Sequence, residues 1–377
     1  TNQGVFTALR FPKARVVGSD LSTISLQRSA RIAASLGVTN LELREESINQ
    51  ATYREQFDYI ISTGVIHHNA DPAAALKNIA AALKPSGILE IMVYNRYHRI
   101  ANTAFQKAIR ILHDHRSAED FESELTLAKK LVKEMTRSGT ASFPSMEEDS
   151  PEAYLADRLI QPVEISYTIE SLEELVQGCG LEMLLPCVNM FDRADQRLSW
   201  NMEFSDPELQ ERYESLADTR RWQVTNLCLL EESPMLWFYL QRRDSGRQRK
   251  GEQELCQEFL ATRFVRASTM QRNYLLGDNY AYEPKEQAIL YPGKNPPGTL
   301  ASRVLASIDA QSSMRQILQR LGFQLTFSLV NGLRIQLTTP AFPYLQAITE
   351  PQVEKNSQLR SFEGLKNTRP RQMLPHQ

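Results

Sequence analysis

The sequence predicts an α/β fold built on a parallel sheet, and three observations predict it. Phe57 to Asn95 (FDYIISTGVIHHNADPAAALKNIAAALKPSGILEIMVYN) reads as buried strand, loop, helix, turn and second buried strand. Ala14 to Gly18 (ARVVG) is a short apolar run closed by Ser19-Asp20-Leu21-Ser22 and followed by a helical pattern, so that strand, acidic residue and helix come in a Rossmann-like order. The same strand-and-helix alternation resumes at Tyr167 and ends in the apolar run Leu236 to Leu240.

Each element has a local justification. Ile24, Leu26, Ala30, Ile32, Ala33 and Leu36 recur at helical spacing before Gly37, and Leu41-Glu42-Leu43 reads as the next strand. Tyr59-Ile60-Ile61 stops at Ser62-Thr63-Gly64, where small side chains let a ligand approach the backbone at the carboxyl end of a strand. Asp71-Pro72 supplies an N-cap and a first-turn proline, and Ala75, Leu76, Ile79, Ala80 and Leu83 form the inward face of that helix. Lys84-Pro85-Ser86-Gly87 is predicted to end it, with the next strand beginning at Ile88. The stretch from Ile100 to about Arg137 is charged and helix-like, broken around His113-Asp114-His115-Arg116 and followed by the acidic segment Ser145 to Pro151. Thr168 caps a further helix ahead of the strand LEMLLPCV, and Asp206-Pro207 starts another that leads toward Trp222 and Leu230.

At 377 residues and 42% hydrophobic content the chain can bury more than one core, and the organisation expected is a first domain at 1–241 with insertions at 97–166 and 190–233, a linker at 242–254, a second domain at 255–350 and a disordered tail at 351–377. The linker RRDSGRQRKGEQE is charged and almost without apolar residues. In the second domain, Leu300 to Gly322 reads as two helices with Ser312 or Ser313 capping the latter, and Leu325 to Leu337 alternates like a hairpin around Asn331-Gly332, which together suggest a small α+β, winged-helix-like shape.

Composition excludes several functions. The formal charge of -2 gives no basis for non-specific nucleic-acid binding over the whole surface, and Arg263, Arg266, Arg272, Arg303, Arg315 and Arg320 are scattered rather than aligned on one helix face, so nucleic acid is not an expected partner. The apolar runs are strand-sized, so no membrane span is expected. Cys179, Cys187, Cys228 and Cys256 form no C-x-x-C pair, which argues against a zinc ribbon or disulfide framework and for a cytoplasmic setting. The HDH of His113 and His115, with His98 and Arg99 nearby, reads as a solvated face, and no metal site is expected.

Four blocks carry a family resemblance: TNQG at 1–4, VVGSDLS at 16–22, FDYIISTGVIHHNADP at 57–72 and LKPSGILEIMVY at 83–94. With 167–190 and 235–241 they resemble the core of a class I S-adenosylmethionine-dependent methyltransferase, a seven-stranded sheet with a reversed last strand. The resemblance implies that the first strand and most of its glycine loop lie upstream of Thr1, leaving Thr1, Asn2 and Gly4 to represent the loop. It implies S-adenosyl-L-methionine as cofactor, bound by Thr1, Asn2, Gly4, Asp20, Leu21, Ser47, Ile48, Thr63, Gly64 and Val65. Asp20 would accept from both ribose hydroxyls, as an acceptor-only carboxylate can; capping of the next helix is its other reading. Glu46, Ser47 and Ile48, after the next strand, would border the adenine, with a solvated loop the other reading of the first two.

His67, His68 and Tyr167 are the candidate catalytic groups. Imidazole titrates near neutrality and can take a proton from an acceptor hydroxyl or amine, although the His pair could equally line the cofactor pocket or cap a helix. Glu164 and Tyr167 could face the acceptor, a small molecule or a protein, with Tyr167 equally readable as a core residue. Because methyl transfer is an in-line displacement, alignment and exclusion of water can do much of the work. Two other functions stay open: a non-catalytic cofactor-binding protein, and an enzyme targeted to a macromolecule by its C-terminal region.

Overall fold

The computed structural model describes residues 2–113, 121–138, 152–188, 197, 199–267, 269–271, 274–276, 282–284, 289–291, 298–339 and 343–348. Thr1, His115, Arg272, the acidic segment 145–151 and the tail 351–377 lie outside them. Helix α1 (Asn2–Arg10) leads into β1 (Val16–Asp20), α2 (Thr23–Ser35) and β2 (Leu41–Glu45). Val5 on α1 and Ile32, Ala33 and Leu36 at the end of α2 bury together. β1 and β2 pair in parallel, Val16 opposite Leu41 and Asp20 opposite Glu45.

β3 (Phe57–Thr63), α3 (Pro72–Ala82) and β4 (Leu83–Val93) follow. Asp71 caps α3 by accepting from Ala74 N at 2.9 Å. β4 starts at Leu83, five residues before the predicted Ile88, because Lys84 precedes Pro85 and is steered away from helical geometry; Leu83 pairs with Phe57, and a register shift between Phe57 and Tyr59 absorbs the irregular stretch. Helices α4 (Ile100–Leu112), α5 (Phe121–Ser138) and α6 (Glu152–Leu159) belong to the first insertion and bury Ile109, Leu125, Val132, Leu155 and Leu159 in a core of their own.

α7 (Ile169–Gly178), with a Thr168–Ser171 capping box, and β5 (Leu181–Pro186) return to the sheet. α8 (Pro207–Glu214) and α9 (Asp218–Leu229) precede β6 (Leu236–Arg242), which lies antiparallel between β4 and β5. The sheet order is β3-β4-β6-β5, with β1-β2 a separate parallel pair. Among the described residues no strand joins β1 to β3, so the seven-stranded sheet implied by the resemblance is here six strands in two sheets. Burial follows that division. In β4, Leu89, Ile91 and Val93 are fully covered by α3, α7 and Trp222 of α9, whereas β1 and β2 have no fully buried residue and Tyr59 of β3 is 42% exposed.

The C-terminal part has its own core, formed by α10 (Glu252–Ala261), α11 (Thr299–Ala306), α12 (Met314–Arg320) and α13 (Phe327–Thr338), with β7 (Phe264–Arg266) paired antiparallel to β8 (Leu345–Ala347). Ser313 caps α12 in a capping box with Gln316. The hairpin predicted around Asn331-Gly332 is helix α13 instead, and antiparallel pairs lie earlier in this part, Thr269–Gln271 with Ile289–Tyr291 and Tyr274–Leu276 with Tyr282–Pro284. Val330, Leu333 and Leu337 bury at helical spacing, and Asn331 is itself buried, so tertiary burial overrides the Asn-Gly turn preference.

Candidate functional site

The carboxyl ends of β1, β2 and β3 and the start of α1 meet in one hydrogen-bonded rim. Glu46 N donates to Asp20 O at 3.3 Å, and Ser19 Oγ donates to Glu46 Oε1 at 2.5 Å, joining the ends of β1 and β2. Asn49 Nδ2 donates to Asn69 Oδ1 at 3.1 Å, and Asn78 Nδ2 donates to Ile48 O at 3.0 Å, joining the loop after β2 to the loop after β3 and to α3. Thr63 Oγ1 donates to Gln3 Oε1 at 2.9 Å, which brings in α1.

Asp20 is half-buried and its Oδ1 accepts from Ser22 N at 2.9 Å. The N-cap of α2 is Ser22, which accepts from Ser25 N at 3.2 Å, so Asp20 does not cap that helix. Ser47 Oγ accepts from Asn49 N at 3.2 Å, and Ile48 packs on the main core. Leu21 and Val65 leave apolar surface open on the rim, 71% and 41% exposed. Asn2 and Gly4 sit in the first turn of α1; a Cβ on Gly4 would stand 3.5 Å from Leu41 and 3.8 Å from the Gly18 backbone, so this glycine packs helix against strand. Gly64 turns the chain out of β3 at φ +75°, with its N–H on Met92 O at 3.2 Å. Nothing lies within 4 Å of a Cβ there, so the backbone angle alone calls for glycine. Gly64→Ala should lower stability by about 1–2 kcal/mol in urea unfolding; an unchanged midpoint would show that this turn relaxes out of the left-handed region.

The second half of the site surrounds the roots of the insertion. The chain leaves the sheet at Tyr94 and returns at Tyr167: Tyr167 N donates to Tyr94 O at 2.8 Å and Arg96 N to Tyr167 O at 2.7 Å. Ile165 N donates to His67 O at 2.9 Å, so the returning strand is tied to the His67-His68 turn. Arg99 and Glu164 form a buried bidentate pair, Nε–Oε1 2.8 Å and Nη2–Oε2 2.5 Å, and Gln106 Nε2 adds a bond to Oε2 at 3.0 Å. The Arg99 guanidinium also lies 4.3 Å from the Tyr94 ring centroid. Glu164 is thus committed to Arg99 and Gln106. Neither Arg99 nor Gln106 has a local signal in the sequence, since each meets Glu164 across the whole insertion.

The two histidines differ sharply. His67 is fully buried, stacked 3.9 Å from Tyr94, with no hydrogen-bond partner on either ring nitrogen. Burial, reinforced by His68 and Arg99, pushes it down to about 3, which makes it a poor proton acceptor. His68 is half-buried, and its Nδ1 sits 3.0 Å from Val163 O. A nitrogen facing a carbonyl carries the proton, so Nε2 of His68 bears the lone pair. Tyr167 belongs to the main core, its hydroxyl buried without a partner and its phenol raised by burial to about 12. The other described histidines do not gather: His98 Nε2 faces Ser233 O at 2.8 Å and His113 Nε2 faces Ser123 Oγ at 3.2 Å.

Comparison with known proteins bears on this rim. A family model described as a methyltransferase domain matches residues 4–146. An uncharacterized protein of Synechococcus sp. is 26% identical over 222 residues, which is 57% of this chain and 52% of that protein; the chain thus spans about half the length of that relative. The ubiquinone biosynthesis O-methyltransferase of Bradyrhizobium sp. is 34% identical over 83 residues, 22% of this chain and 32% of that enzyme. PKMT2 from Rickettsia typhi superposes with a TM-score of 0.54 at 14% identity, over 93% of this chain and 70% of that one, and it has also been solved in complex with AdoHcy. At that identity the likeness concerns the fold. No helix among the described residues is long and apolar enough to cross a membrane.

Proposed function

We propose that this chain, whose residues 4–146 belong to the methyltransferase-domain family, transfers a methyl group from S-adenosylmethionine to a small-molecule or protein acceptor. The observation that carries the reading is the rim itself, where Asp20, Ser47-Ile48 and Thr63-Gly64 are held together at three strand ends beside α1. A half-buried carboxylate flanked by open apolar side chains suits a nucleoside, with Asp20 accepting from the ribose diol and Leu21, Ile48 and Val65 bordering the base.

The cofactor supplies an activated methyl on a sulfonium, and this chain's residues do the rest. The Thr63–Gly64 turn lets the ligand approach the backbone, and the insertion tied down at Arg99–Glu164 bounds the acceptor side and excludes water. His68 Nε2 would take up the proton that the acceptor's oxygen or nitrogen gives up on methylation. His67 and Tyr167, both buried, serve as the wall behind it.

Asp20→Ala should weaken S-adenosylmethionine binding about 10- to 100-fold in calorimetry, the range expected for lost hydrogen bonds to a charged group, while the ligand-free melting temperature changes by no more than a few degrees. Equal affinity in the variant would remove Asp20 from the ribose site. Labelled S-adenosylmethionine incubated with the protein and fractionated extract should mark one acceptor class, small molecule or protein; His68→Gln should abolish that label without changing cofactor affinity.

A further inference from the structure

A histidine base works when its ring is held in one orientation and one tautomer, and in His68 both are set by one bond, from Nδ1 to Val163 O at 3.0 Å. Its Nε2 meets no partner among the described residues and keeps surface open to solvent. A backbone carbonyl orients a ring only as firmly as its own segment is held. Residues 163–166 belong to no helix or strand, so no regular ladder fixes Val163 in place.

The segment is held from α4 instead. Arg99, the N-cap residue of that helix, and Gln106 and Arg110 within it recur at helical spacing and face the returning chain. Arg110 Nη2 donates to Gln161 O at 2.6 Å and Gln106 Nε2 to Arg158 O at 2.9 Å, while Arg99 and Gln106 together hold the Glu164 carboxylate. Val163 is thus flanked on both sides by residues bonded to α4. Val163 O and Ile165 N grip the His67-His68 turn, and the side chain between them, Glu164, grips the helix. Exposure ranks these bonds. Arg110 is exposed and its bond competes with water, whereas the Arg99 and Glu164 side chains are only 8% and 2% exposed and form a bidentate, charge-assisted pair.

We propose that Glu164, Arg99 and Gln106 are positioning residues for methyl transfer: through Val163 O they keep the proton of His68 on Nδ1 and leave the Nε2 lone pair open. This role rests on the reading of His68 as the base, yet the tautomer can be observed without any acceptor.

In protein whose histidines are isotope-labelled at both ring nitrogens, NMR separates the six histidines, and the signals lost in His68→Gln identify His68. Neutral wild-type His68 should show Nδ1 as the protonated nitrogen and Nε2 as the unprotonated one. Glu164→Gln and Gln106→Leu should each move both nitrogens toward the average of two exchanging tautomers. Label transfer to the extract should fall about 10- to 100-fold in the same variants, with S-adenosylmethionine affinity unchanged in calorimetry. Glu164→Gln leaves the Arg99 charge buried without its partner; should it fail to fold, Gln106→Leu, which keeps the Arg99–Glu164 pair, decides alone. Averaged nitrogens in the wild type, a wild-type tautomer in the variants that fold, or a loosened tautomer with undiminished label transfer would overturn the proposal. Undiminished label transfer in His68→Gln would instead remove His68 as the base, which separates a failure of that reading from a failure of the clamp.

Discussion

Glu252→Ala should destabilise the protein by about 3–5 kcal/mol, the range for removing one partner of a buried ion pair. Glu252 is fully buried at the start of α10 and receives Arg221 Nη2 at 3.0 Å, Asn331 Nδ2 and Asn201 Nδ2 at 3.2 Å, and Trp222 Nε1 at 3.4 Å. Its own N–H donates to Asp218 Oδ2 at 3.0 Å. Removing the carboxylate leaves Arg221, 1% exposed, with Asp218 as its remaining acidic partner beside neutral acceptors on Asn201 and Leu216, and leaves Arg334 without an acidic neighbour in this network. Glu252→Gln keeps the size and some acceptor capacity and should cost less than Ala. Because the network ties α9 of the sheet domain to α10 and α13, both sheet and C-terminal signals should fall in one transition at a lower urea midpoint. Two separated transitions in the wild type would show that the network does not couple the two cores.

That network also shows what the sequence leaves hidden. The caps of α3, α7 and α12 are legible because each lies directly before its own helix start, Asp71, Thr168 and Ser313, whereas α2 is capped by Ser22 and not by Asp20, the capping candidate in the sequence. The strand-helix-strand block from Phe57 is legible because its apolar periodicity is strong. Glu252, in contrast, sits in a charged run that composition reads as a solvated linker, and only Arg221, Asn201 and Asn331, distant in sequence, make it a buried centre. Asn331 misleads in the same way: beside Gly332 it signals a turn, yet its amide donates to Glu252 and its carbonyl accepts from Arg334 at 2.7 Å. In the candidate site the strand-end residues Asp20, Thr63 and Gly64 announce themselves by position. The partners that tie the insertion down do not, because Arg99 meets Glu164 across 65 residues. The difference between His67 and His68 is equally non-local: it rests on Tyr94 covering one ring and Val163 facing the other.

His67 should make stability fall on mild acidification. Unfolded, its imidazole takes up a proton near 6.5; in the native protein burial withholds that proton until about 3. Between those values the unfolded state binds more protons, so this contribution to stability is fully present above about pH 6.5 and is lost as pH falls toward 3, at about 1.4 kcal/mol per pH unit. From pH 6.5 to pH 5 the loss is about 2 kcal/mol. His67→Phe retains an aromatic ring against Tyr94, removes two buried nitrogens that have no partner, and cannot titrate. At pH 7 its stability should equal or exceed that of the wild type, since an unsatisfied polar group is replaced by an apolar one. At pH 5 it should exceed the wild type by about 2 kcal/mol more than it does at pH 7, because the titrations shared by both proteins cancel in the difference. Parallel stability curves for the two proteins between pH 7 and pH 5, measured by urea unfolding, would mean that His67 is charged in the native state. It would then have to face a partner anion, and the proton-accepting role proposed for His68 would have to be reconsidered between the two histidines.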